Sequence, residues 1–245
     1  TWDVSYTLLS SDRDGEISYS IDISDLAGNT TYDLQGPVTT ISFDKTAPEI
    51  IDLSLVSSNN NKTLAKVGDI ITLTVKFNER VQSPTVSFSS GGAVIADGPQ
   101  TPYSTDDITW DISYETSESD TSGDISYMIS YKDYAGNDGT TVNKHDNSDI
   151  TNKAGSVTFD KLNPSLLTKK PSNNATSVKI DQDIILTFSE PVMIRSGNIT
   201  ILRFSNNTIF EKIDVTSSKI NIVDSNKIII NPDRNFEYYS VYYIL

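Results

Sequence analysis

The chain has 245 residues, enough for about two ordinary domains with hydrophobic cores of their own. With 33 Asp and Glu against 19 Lys and Arg it carries a formal charge of -14, which repels phosphate backbones and anionic lipid surfaces and excludes nucleic acid as a partner. There is no Cys and one His, which removes disulfides, thiolate chemistry and zinc sites built from N and S ligands, and no apolar run approaches the roughly 20 residues of a membrane helix, so the chain is read as not membrane-spanning.

In chain order, the first segments all return farther on. Thr1-Trp2-Asp3-Val4-Ser5-Tyr6 recurs as Thr109-Trp110-Asp111-Ile112-Ser113-Tyr114, Gly15-Glu16-Ile17-Ser18-Tyr19 as Gly123-Asp124-Ile125-Ser126-Tyr127, and Asp25-Leu26-Ala27-Gly28-Asn29 as Asp133-Tyr134-Ala135-Gly136-Asn137. The offset is 108 residues at each, and grows to 116 where Phe43-Asp44-Lys45 returns as Phe159-Asp160-Lys161, after a polar insertion between Asp138 and Lys153. A period of this length is that of a β-sandwich domain, not of a small solenoid repeat. Because Thr1 aligns with the middle of the second copy, residues 1 to 45 read as the C-terminal half of a unit and residues 46 to 160 as a complete one. Residues 161 to 245 read as the N-terminal part of a third, where Thr187-Phe188-Ser189-Glu190-Pro191-Val192 echoes Lys76-Phe77-Asn78-Glu79-Arg80-Val81. The sequence is accordingly expected to be an excerpt from a longer array.

Within the complete unit, strands are expected near 49–57, 68–77, 84–89, 107–115, 124–132 and 154–160, with a short one near 92–96 that Gly91-Gly92 turns the chain into. Apolar residues alternate with polar ones: Trp110, Ile112 and Tyr114 share one face, Thr109, Asp111 and Ser113 the other, and Ile125, Tyr127 and Ile129 continue the pattern. No segment of helical length carries an apolar stripe of period 3.6. One wet face per strand is the mark of antiparallel sheets packed on a single side, so the fold class is all-β, with tandem two-sheet sandwiches in an elongated array.

At Asp25 to Asn29 and at Phe43-Asp44-Lys45-Thr46-Ala47-Pro48 the sequence resembles the bacterial immunoglobulin-like repeats of large secreted adhesins, in which a D-x-A-G-N turn precedes a strand ending in F-D-x-T-A-P. The second linker, Phe159-Asp160-Lys161-Leu162-Asn163-Pro164, departs by placing Leu-Asn where Thr-Ala stands in the first. Residues 161 to 245 are similar to the immunoglobulin-like domain type named after surface-layer proteins, through Pro171-Ser172-Asn173-Asn174-Ala175-Thr176-Ser177-Val178, Leu186 to Val192 and Ile230-Asn231-Pro232. The resemblance implies an extracellular, cell-surface, non-enzymatic stalk in an adhesin, surface layer or filament. Its partners would be neighbouring domains of the same long chain and other copies in a filament or surface array.

Chemistry-bearing residues add little to this. His145 lies in a hydrophilic insertion with no Ser or Cys arranged to be activated by it, and neither a phosphate loop nor a metalloprotease helix is present, so no catalytic site is expected. The sequons at Asn29, Asn61, Asn174, Asn198 and Asn206 permit glycosylation without indicating it. Acidic residues become informative once placed in stacked sandwiches. Asp12, Asp14 and linker Asp44 would face Glu79 and Asp133 at the first junction, and Glu118, Asp120, Asp124 and linker Asp160 would face Glu190 at the second. Carboxylates crowded at a linker repel unless a cation screens them, and oxygen-only ligands without Cys favour structural calcium. The rival expectation is a carbohydrate-binding or spacer module of a secreted enzyme, with Tyr131, Tyr134 and the run Tyr238, Tyr239, Tyr242 and Tyr243 as a stacking platform.

Overall fold

The computed structural model describes residues 2–35, 41–95, 98, 101–143 and 155–245, so His145 and most of the insertion around it lie outside the described residues. The chain separates into two compact units, Thr1–Lys161 and Leu162–Leu245. Among the described residues every regular element is a strand.

The first unit opens with β1 (Gly15–Ile17), β2 (Ile21–Ser24), β3 (Thr30–Leu34) and β4 (Ile41–Phe43). Here β1 pairs with β4 and β2 forms a hairpin with β3. Next come β5 (Ile50–Ser57), β6 (Leu64–Ala65), β7 (Ile70–Phe77), β8 (Thr85–Ser90), β9 (Ala93–Val94), β10 (Thr109–Glu115), β11 (Gly123–Ser130), β12 (Val142–Asn143) and β13 (Thr158–Phe159). One sheet runs β10-β7-β5; the other runs β6-β13-β11-β8-β9, with β12 also on β11. Register follows from the period-two pattern, since a slip of one residue would turn every apolar side chain to water. Thus Leu55, Leu73 and Ile112 line up across three strands, as do Leu53, Val75 and Trp110. From the facing sheet, Phe88 pairs with Tyr127 and Val86 with Ile129. All of these side chains are buried in one core, where the Phe88 and Tyr114 rings meet with centroids 4.9 Å apart. Full burial of each such side chain stabilises by roughly 1.5–3 kcal/mol, which offsets the entropy of ordering the strands.

Gly91-Gly92 makes the two-residue turn that joins β8 to β9, both with positive φ. Gly91 also lets β8 end against the start of β11: a Cβ on Gly123, whose φ is +142°, would lie 2.7 Å from the Gly91 Cα, and one on Gly91 would lie 2.5 Å from the Ser122 carbonyl oxygen. Backbone cannot move aside as a side chain can. Gly123→Ala is therefore expected to destabilise the first unit by about 1–3 kcal/mol, seen as a lower thermal midpoint. An unchanged midpoint would mean that the two strands separate there at no cost.

The second unit holds β14 (Leu166–Lys170), β15 (Ile184–Phe188), β16 (Asn198–Arg203), β17 (Ile209–Asp214), β18 (Ile220–Val223), β19 (Lys227–Ile230) and β20 (Tyr242–Ile244). They form a four-stranded sheet, β14-β15-β19-β18, and a three-stranded one, β17-β16-β20. Ile184, Ile201, Phe210, Ile213, Ile220 and Ile230 from these strands make a separate core, against which Phe236 and Tyr242 pack on Phe210. The buried carboxylate of Glu211 is satisfied by the Asp233 and Arg234 N–H groups and by the Lys219 ammonium, 3.4 Å away. Two facing antiparallel-dominated sheets around one core, in each unit, are tandem immunoglobulin-like β-sandwiches.

Candidate metal centre

Asp44, just past β4, Glu79, just past β7, and Asp133, just past β11, come together with one carboxylate oxygen from each lying within 4.8 Å of the others. Among the described residues this is the one group of three potential ligands. Asp133 is only 1% exposed and is held by the turn it organises. Its carboxylate accepts from the Gly136 N–H at 2.6 Å, the Asn137 N–H at 2.8 Å and the Asn137 side-chain amide at 2.7 Å, while its own N–H donates to the Asn137 carbonyl. The D-x-A-G-N string is thus a turn in which Asp serves as acceptor for its own loop.

Asn137 then reaches the linker, donating to the carbonyl oxygens of Asp44 at 3.2 Å and Thr46 at 3.4 Å. On the Glu79 side, Asn78 and Glu49 exchange two hydrogen bonds, of 2.8 and 3.0 Å. From the other direction Asp14 accepts from the Lys45 N–H and the Thr46 hydroxyl, and the Lys45 ammonium donates to the carbonyls of Ser10 at 2.8 Å and Asp12 at 2.5 Å. The linker from Asp44 to Pro48 is therefore fastened on both sides, which fixes where the Asp44 carboxylate lies.

Electrostatics record the crowding. Burial pushes the Glu79 pKa up, and the negative charges of Asp44, Asp133 and Asp14 push it further in the same direction. Burial also pushes Asp133 upward, but its hydrogen bonds from Asn137 and Gly136 outweigh that and leave it below the usual carboxylate value. The Thr46 and Lys45 bonds likewise lower Asp14. Three convergent carboxylates, one of them reluctant to ionise, make a site of hard oxygen donors suited to a divalent cation such as calcium.

The other acidic candidates are placed differently. Asp12 accepts from the Leu9 N–H and the Tyr6 hydroxyl, and Asp120 accepts from the Ser117 N–H, so both cap local turns. Asp124 accepts from the Thr158 hydroxyl at 2.8 Å. The Lys161 ammonium donates to the carbonyls of Glu118 and Asp120, repeating the Lys45 arrangement, and the Asp160 N–H donates to Ala65. Glu190 belongs to the Leu162–Leu245 unit. The tyrosines divide between core and surface within each unit. Tyr131 is buried in the first core and Tyr242 packs on Phe210 and Phe236, whereas Tyr134, which donates to Asp107 beneath Arg80, is exposed, as are Tyr238 and Tyr239. Sequence reasoning passed over Asn78, Asn137, Lys45 and Lys161. Recurrence of the last three types at matched places of the repeat was the signal available.

Residues 160–245 match the bacterial Ig-like domain. The matched stretch begins two residues ahead of the second compact unit and runs through its strands. No curated protein matches the chain. Among solved structures, an I-band fragment of titin is 14% identical, with 82% of this chain and 65% of that one covered and a TM-score of 0.36. The N-terminal Ig1-2 module of the Drosophila receptor protein tyrosine phosphatase DLAR is 14% identical, covering 77% and 85%, with a TM-score of 0.28. Immunoglobulin domains 1-5 of Sidekick-1 are 8% identical, covering 93% and 45%, with a TM-score of 0.31. The chain spans slightly less than two thirds of the titin fragment's own length.

Proposed function

We propose that this segment is a non-enzymatic structural stretch of an extracellular, multi-domain surface protein, such as an adhesin, surface-layer or filament protein, in which immunoglobulin-like sandwiches act as spacers. In the same proposal calcium occupies the Asp44, Glu79 and Asp133 group and stiffens the linker, and the units run on from a half domain (residues 1 to 45) through a complete one (46 to 160) to a surface-layer-type one (161 to 245). What supports this most is the convergence of three carboxylates on a linker already fastened by Asn137, Asp14 and Lys45. The bacterial Ig-like match over residues 160–245 supports the surface setting.

The test is thermal melting and calcium titration of the whole chain and of Glu79→Gln. Calcium at about a hundredfold excess over its dissociation constant should stabilise the first unit by about 2.7 kcal/mol, and Glu79→Gln should remove most of that gain. In chelator the sign reverses: the variant loses a carboxylate repelled at about 1 kcal/mol per close pair, and should melt higher than the parent. Identical melting of the parent in calcium and in chelator would remove the ion from the proposal. Reproducible binding of one sugar class on a glycan array would favour the carbohydrate-binding alternative instead.

A further inference from the structure

Among the Asn-x-Ser/Thr sequons, two fold into the same local structure. The side-chain oxygen of Asn61 accepts from the Thr63 N–H at 3.2 Å and from the Thr63 hydroxyl at 2.8 Å, and that of Asn206 accepts from the Thr208 N–H and hydroxyl at the same 3.2 and 2.8 Å. Their surroundings differ. Asn61 lies between β5 and β6 of the first unit, where the Leu64 N–H donates to its backbone carbonyl, and Asn206 lies in the turn from β16 to β17 of the second. Every residue of both sequons is exposed. An N–H and an O–H donor can only meet the oxygen of a carboxamide, so in each the nitrogen is the end turned outward, and among the described residues none accepts from it.

The turn alone does not call for an amide. Asp214 closes the same turn with Thr216, accepting from its N–H at 2.8 Å and its hydroxyl at 2.7 Å, and a carboxylate is the stronger acceptor. What Asn adds at 61 and 206 is the outward nitrogen. The remaining sequons are arranged otherwise. Asn29 gives a side-chain N–H to the Asp25 carboxylate at 2.8 Å. Asn198 sits in β16 opposite Asp214, and the Thr200 N–H two residues on is spent on the Leu245 carbonyl at 3.0 Å. Asn174 has a left-handed backbone, with φ of +58°, which neither Asn61 nor Asn206 has.

We infer that Asn61 and Asn206 are the N-glycosylation sites of the folded chain, taking a sugar activated as its glycosyl diphosphate. In the step, Nδ2 gives a proton to a base of the transferring enzyme and bonds to the anomeric carbon. The bond from that carbon to the diphosphate oxygen breaks, and the diphosphate leaves with the electron pair. An amide nitrogen is a weak nucleophile because its lone pair is shared with the carbonyl. Losing the proton puts negative charge on Oδ1, which is where the two donors of Thr63 or Thr208 already point. A bulky sugar on either loop stays in solvent and leaves both cores as they are. The inference depends neither on calcium nor on the spacer reading.

The experiment incubates the whole folded chain in two arms, one with a soluble N-glycosyltransferase and a nucleotide-linked hexose, the other with a membrane oligosaccharyltransferase and a lipid-linked oligosaccharide. Peptide mapping by mass spectrometry at early times locates each adduct, and the arm that gives it identifies the donor. In at least one arm Asn61 and Asn206 should fill several-fold faster than Asn29, Asn174 and Asn198. Short peptides, each spanning one sequon, should lose that preference under the same conditions, because they do not hold the turn. The absence of adduct at both Asn61 and Asn206 in both arms overturns the inference, and so does equal filling of every sequon in the folded chain. The same preference in the peptides also overturns it, since local sequence and not the folded turn would then decide. Filling of one of the two sites alone overturns it for the other.

Discussion

Phe88→Ala is expected to lower the stability of the first unit by about 3–5 kcal/mol while leaving the melting of residues 162–245 where it was. Phe88 is 1% exposed and fills the space between β11 and β10, touching the Tyr114 ring and lying opposite Tyr127. Its removal costs the transfer energy of a phenyl group together with that of the cavity left behind. A domain of this size has a stability of about 5–15 kcal/mol, so the loss is a large share of it, on the order of 10–20 °C in midpoint. The two cores have no residue in common, which is why the effect should stay in one unit. Phe210→Ala is the mirror experiment, because Phe210 carries the contacts of Phe236 and Tyr242 in the second core. Scanning calorimetry of both variants settles it. A shift of both transitions by either substitution would show that the cores melt as one.

Asp133→Ala should cost the first unit about 2–4 kcal/mol at neutral pH, because the Gly136 and Asn137 donors lose a charged acceptor and the turn loses the group that closes it. Relief of repulsion at Glu79 offsets only part of this. Acid titration carries a second signature. The folded pKa of Asp133 is depressed, so its contribution is present above its unfolded value of about 4 and disappears as pH falls through the folded value. The folded pKa of Glu79 is raised, so the penalty it imposes is full at neutral pH and is relieved as pH falls through that value. In chelator the first unit should therefore gain stability on mild acidification and lose it below about pH 4. Glu79→Gln should abolish the gain and keep the loss, whereas Asp133→Ala should shrink the loss. A monotonic decline in the parent would contradict the assigned signs.

Most of the sandwich from β5 to β13 was legible because alternation is a strong signal over the seven or eight residues of β5, β7, β10 and β11, and because the repeat allowed the patterns of β10 and β11 to be read twice. The strands β6 and β12 gave no such signal, since two residues cannot show a period. Asp44, Glu79 and Asp133 were grouped from loop positions alone, but so were Asp12 and Asp120. Nothing in composition separates a carboxylate that faces a junction from one that caps a turn three residues back, as the Leu9 and Ser117 N–H bonds show. The tyrosine run divides as strand periodicity requires. Strand periodicity sends alternate residues to opposite faces, so Tyr242 joins Phe210 inside while Tyr238 and Tyr239, ahead of the strand, stay outside.

The parallel pairing of β13 with β6 bears on how the first unit would yield under tension. β13 leaves the domain toward Lys161 beside β6, joined by bonds from the Thr158 N–H to Thr63 and from the Asp160 N–H to Ala65. Traction applied along the chain draws β13 past β6 lengthwise, so both bonds lie across the pull and must rupture together instead of unzipping singly. A pairing only two residues long, anchored by the buried Phe159 and Ala65, is thus expected to resist the first opening of the larger sheet behind it.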